Sequence, residues 1–142
     1  SASSELVTSW SEWREFLKEL GQKPKSSIGA FQQKAKALSI KVIALNSTIP
    51  ATYNLPEIKS RIAAVTTKIN SLDLYINLDK IPAEKVVAII PNVNKGLQSL
   101  EAQFDEILRK EKIPMEQGEA DMIKMLDTTR AIPSSKPLLP KN

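Results

Sequence analysis

Three carboxylates, Glu101, Asp105 and Glu106, lie close together in the chain, and one-turn spacing puts the first two on neighbouring helical surface. Paired carboxylates do acid–base work when a cleft buries them. Arg109 and Lys110 follow one turn later, the pattern of a solvated, ion-paired face. Met115, Met122 and Met125 carry thioethers of the kind that hold Cu(I). With no His beside them they read as gap-filling core. Trp10 and Trp13 are of the type that anchors partners, yet they sit on an apolar helical stripe, which favours burial.

Other chemistry is excluded by composition. The 142 residues include no Cys and no His. That removes thiol nucleophiles, disulfides, thiolate zinc sites and iron–sulfur clusters. It also removes the Ser-His-Asp triad, facial-triad iron and Glu-x-x-His centres. The four glycines, Gly21, Gly29, Gly96 and Gly118, are too scattered for a phosphate-cradling loop. No Ser-x-x-Lys nucleophile pattern occurs. The expectation is a non-enzyme with no cofactor and no metal. A carboxylate or Ser–Lys hydrolase is the residual enzymatic reading.

The net charge is +4, from 20 Lys and Arg against 16 Asp and Glu. This near-balance, with only four arginines, argues against a nucleic-acid partner. No run of 18 apolar residues offers a membrane span. A cysteine-free chain that starts at Ser1 rather than Met suits the mature part of an exported protein, periplasmic or held at the outer surface by an upstream lipid anchor. A cytoplasmic location is the alternative.

The elements that must position these residues are helical. Apolar residues alternate by three and four in four segments, the period that places them on one stripe. The first runs Leu6, Trp10, Trp13, Leu17, Leu20; the second Ile28, Phe31, Ala35, Leu38, Val42, Leu45. The third runs Leu55, Ile58, Ile62, Val65, Ile69, Leu72, Ile76; the fourth Val86, Ile90, Val93, Leu97, Leu100, Phe104, Ile107. Seven of the nine prolines follow Ile or Leu and mark helix boundaries. Asn54 is expected to cap the third helix, with Glu57 three residues on. Pro91 falls inside the fourth stripe and predicts a kink.

Short connections predict antiparallel neighbours. The fold class is therefore an all-α, up-down-up-down antiparallel four-helix bundle over residues 1–113, with a proline-kinked fourth helix. A short C-terminal helical segment over 114–132 is expected to pack on the bundle, followed by a Pro-rich tail over 133–142. Heptad lettering places Gln32, Ser39 and Asn46 of the second helix opposite the third. Arg61, Lys68 and Gly96 fall where the third meets the fourth, and Arg14 is placed near Glu101 or Asn94.

The second helix has the most unusual surface. From Leu20 to Pro56 there are five lysines and no acid. Lys34, Lys36, Ala37, Ile40, Lys41, Ile43 and Ala44 make a basic and partly apolar candidate partner-binding face. An apolar outward face calls for a cover. The C-terminal stretch with Met122, Ile123, Met125 and Leu126, a protein partner or second copy, and a membrane surface all fit. The expected function is a non-enzymatic module of a bacterial envelope protein, acting through protein or envelope contacts. The alternative is a carrier or sensor holding a small apolar ligand near Pro91. Two short motifs complete the reading. Asn46-Ser-Thr48 matches a glycosylation acceptor, and Pro137-Leu-Leu-Pro140 resembles an SH3-ligand core.

Overall fold

A computed structural model describes residues 1–131, apart from the side chains at 114, 115 and 127–131. The Pro-rich segment and Pro137-Leu-Leu-Pro140 lie outside the described residues. The protein is all-helical, with no strand among the described residues. Its helices are α1 (Ala2–Ser9), α2 (Ser11–Gly21), α3 (Ile28–Leu45), α4 (Pro56–Ile76) and α5 (Ala83–Ala131), with a 3-10 turn at Ala51–Tyr53. The chain divides into two compact units, Ser1–Ile107 and Leu108–Asn142.

The first apolar segment forms two helices rather than one. Trp10 breaks it with an extended backbone at φ −121° and ψ 93°. In that conformation its amide donates to Leu6 O (2.8 Å) and its Nε1 donates to Thr48 Oγ1 (2.9 Å). A buried indole N–H needs a partner, and the break supplies one. It also changes the stripe: Phe16 is fully buried, while Leu17 and Leu20 are only half-buried.

The other helices start where local chemistry permits. Ser27 caps α3, its hydroxyl accepting from Ala30 N (3.2 Å). The α4 cap is Leu55, without a side-chain cap bond, rather than Asn54. Pro56 opens the helix and Glu57 lies in the first turn, where an acid suits the dipole. The fourth segment does not end at residue 113. One helix continues through positions 91 and 114 to Ala131, because a proline removes a single backbone donor. Its buried stripe is Val93, Leu97, Leu100 and Phe104. Before Pro91 the better-covered residue is Ile89, whereas Ile90 is exposed.

Side-chain contacts tie the helices of Ser1–Ile107 together in pairs. Between α3 and α4, Gln32 Nε2 donates to Ile76 O (3.0 Å), Ser39 Oγ to Asn70 Oδ1 (2.5 Å) and Asn46 Nδ2 to Thr66 Oγ1 (3.0 Å). These are the α3 positions that the heptad lettering puts on this seam. Between α4 and α5, Arg61 Nε donates to Ser99 Oγ (3.1 Å). A Cβ on Gly96 would lie 2.9 Å from Val65 Cγ2, so glycine sets this close approach. Arg14, expected near Glu101 or Asn94, lies 3.9 Å from the carboxylate of its neighbour Glu15.

The core is aromatic where α1, α2, the 3-10 turn and α5 meet. Phe104 lies edge-on to Trp13 (5.4 Å between centroids), Tyr53 (5.3 Å) and Trp10 (6.2 Å), while the two tryptophans stack at 5.8 Å. Such pairs add about 0.5–1.5 kcal/mol each to burial. Tryptophan as core, rather than as a partner anchor, is what the structure shows.

Candidate binding surfaces

The seven α3 residues singled out by sequence separate onto two sides of the helix. Lys34, Ala37, Lys41 and Ala44 are half-buried, and each lines a shallow depression together with residues of α2 or the chain just after it. Lys36, Ile40 and Ile43 face solvent, the two isoleucines 61% and 51% exposed. Half of the basic face is thus a packing surface.

Glu19 explains the packing half. Lys34 Nζ contacts the Glu19 carboxylate (2.5 Å) and its backbone oxygen (2.6 Å), and both side chains are largely buried. Lys41 adds weaker contacts to Glu19 (3.8 Å) and Glu15 (3.9 Å). The hydrogen bond from Lys34 holds the Glu19 carboxyl below the usual carboxylate range. Partial burial opposes this, and the charges of Lys34 and Lys41 reinforce it. The acid-free stretch of the sequence therefore obtains its acids from α2, which spacing within α3 alone does not reveal.

A second surface was hidden inside the apolar stripes. Ile28 and Phe31 of α3, Ile76 of α4, Ile81, and Ala83, Val86 and Val87 of α5 enclose an open apolar groove of about 300 Å³. Phe31 is 46% exposed and Val87 66% exposed. Ile28, Phe31, Ile76 and Val86 belong to the predicted core pattern; Ile76 is buried and Val86 half-buried, but Ile28 and Phe31 stay exposed. The cause is helix length. With about 1.5 Å of rise per residue, the 11-residue α2 covers only part of the 18-residue α3 and 21-residue α4.

The other candidates resolve simply. Asp105 Oδ1 accepts from Ala2 N (2.8 Å), tying down the first turn of α1. Among the described residues no group of three His, Cys, Asp or Glu could hold a metal ion. Met122 and Met125 are not core: with Ile123 and Leu126 they are exposed on the later turns of α5. The Asn46 amide also donates to Val42 O (3.1 Å) at the end of α3, so the Asn-Ser-Thr acceptor nitrogen is engaged in structure. No helix among the described residues is long and apolar enough to cross a membrane.

No family model matches this chain, and no curated protein or solved structure is significantly similar to it. The groove and the α3 face stand on their own chemistry.

Proposed function

We propose that this protein is a non-enzymatic contact module whose α3/α4/α5 groove receives apolar side chains of a protein partner. The carrying observation is the groove itself: an open wall of the apolar side chains of Ile28, Phe31, Ile76, Ile81, Ala83, Val86 and Val87. A groove walled by apolar side chains that stay exposed, such as Phe31 and Val87, is a surface that a partner's apolar side chains can cover. Small-molecule pockets add a few placed polar groups that fix the ligand's orientation, and no side chain of this lining is polar. That difference favours a partner's side chains over a carried ligand. The exposed Lys36, Ile40 and Ile43 on α3 extend the same reading to a basic and apolar flank. A cysteine-free composition suits a place in the cell envelope, whether exported or lipid-anchored.

The arrangement behind the groove is an up-down-up-down bundle bent at Pro91. Support comes from the opposed sense of the α2/α3, α3/α4 and α4/α5 contacts and from the backbone donor missing at Pro91.

A photo-crosslinking residue at Val87 tests the function in cells. A discrete protein adduct is expected, absent from the same site in a Phe31→Glu background and absent from exposed Ala63. Adducts of equal yield at both sites, or insensitive to Phe31→Glu, would sink the reading. The carrier alternative rests on the groove volume of about 300 Å³, at the lower bound of small-molecule pockets. It requires an apolar compound to co-purify with the native chain and to be lost on Phe31→Glu.

A further inference from the structure

A different surface, between α4 and α5, carries a site of opposite character. Arg61, Ala64 and Lys68 of α4 and Lys95, Gly96 and Ser99 of α5 line an open cleft of about 200 Å³. Three cations and no acid meet there. None of the three has a carboxylate within ion-pair distance among the described residues, unlike Lys34 and Lys41, which contact Glu19 and Glu15. Unneutralised cations gathered in one cleft repel each other and raise the local potential for anions.

The cleft is also partly fixed in place. Arg61 donates from Nε to Ser99 Oγ (3.1 Å) and from Nη1 to Glu57 O (2.8 Å). These two bonds hold the guanidinium plane while leaving further N–H donors uncommitted, since arginine carries five. Ser99 accepts from Arg61, which leaves its own O–H to donate. Among the described residues Lys68 Nζ has only a long contact with Asn92 O (3.5 Å). Gly96 has no side chain to fill the space, and a Cβ there would come within 3.6 Å of Lys68 Nζ. Planar guanidinium plus ammonium donors is the set that recognises tetrahedral oxyanions.

We propose that this cleft binds a phosphate-class oxyanion through Arg61, Lys68 and Lys95, with Ser99 as an additional donor. The ligand is a soluble phosphate or the headgroup of an acidic phospholipid; the chemistry recognised is the same.

The test titrates the whole chain with inorganic phosphate at constant ionic strength, with chloride as control, following backbone amides by NMR. Saturable shifts confined to residues 61–68 and 95–99 are expected. Arg61→Gln and Lys68→Gln should each weaken binding about fivefold, the worth of one charge contact in a largely aqueous site. Circular dichroism checks that each variant folds. The exposed Lys95→Gln supplies an independent variant with a smaller loss of the same sign. Flotation with phosphatidylcholine vesicles containing phosphatidic acid separates the sources. Arg61-dependent vesicle binding assigns a headgroup; saturable phosphate binding without vesicle binding assigns a soluble ester. Shifts that never saturate, that spread equally to Lys23 and Lys25, or that survive the Arg61→Gln/Lys68→Gln double change overturn the proposal.

Discussion

The two ends of the Ser1–Ile107 unit solve the same packing problem differently. At one end Trp10, Trp13, Phe16, Tyr53 and Phe104 are buried and in ring contact. There α1 and the 3-10 turn add material that α3 and α4 lack. At the other end Ile28, Phe31, Val86 and Val87 belong to the same kind of helix, yet α2 stops short of them and they remain a wall. The lesson is that a heptad stripe specifies which side chains seek burial. Whether they obtain it depends on the length and placement of neighbouring helices.

The sharpest way to break this contrast is at its centre. Phe104→Ala removes a ring that touches three others, and should cost about 3–5 kcal/mol in chemical denaturation. Phe31→Ala, the same change at the open end, should cost less than about 1 kcal/mol, because much of that ring already faces water. Equal losses would show that the groove is closed in solution.

Acid titration probes the seam between the ends. Folding lowers the Glu19 pKa, so its stabilisation is complete above the unfolded value of about 4.3 and is lost as pH falls through the folded value. Glu19→Gln should destabilise by about 1–2 kcal/mol at neutral pH and flatten the stability profile below about pH 4.5. An unaltered acid limb would remove Glu19 from the account.

A subtler measurement concerns Trp13, whose Nε1 is buried without a hydrogen-bond partner among the described residues. Trp13→Phe deletes that unsatisfied donor, worth about 1–3 kcal/mol, while leaving a smaller ring. The two effects offset, so the net change should stay within about 1 kcal/mol, far below that of Phe104→Ala. The last effect is read in binding rather than in stability: Phe31→Ser should abolish the Val87 crosslink while costing little more stability than Phe31→Ala, about 1 kcal/mol.

Much of this was legible beforehand. The all-helical class follows from four phased stripes, and Gln32, Ser39, Asn46, Arg61 and Gly96 lie on the seams that heptad lettering assigned. Three features were not legible. The break at Trp10 accompanies a hydrogen bond from its Nε1 to Thr48, 38 residues away, and no local pattern announces such a partner. The continuation of α5 past 113 reverses a boundary that proline usually marks. The groove consists of residues whose pattern is indistinguishable from core, and only a three-dimensional comparison of helix lengths exposes it.

Both tryptophans of the chain lie in the closed aromatic end, stacked on each other. Intrinsic tryptophan emission is therefore a reporter of that end alone. Occupancy of the groove can leave this signal silent, and unfolding followed by emission describes the aromatic end unless the whole unit melts together. A probe placed at Phe31 or Val87 would complete the pair, and the lag between the two signals would measure how tightly the ends are coupled.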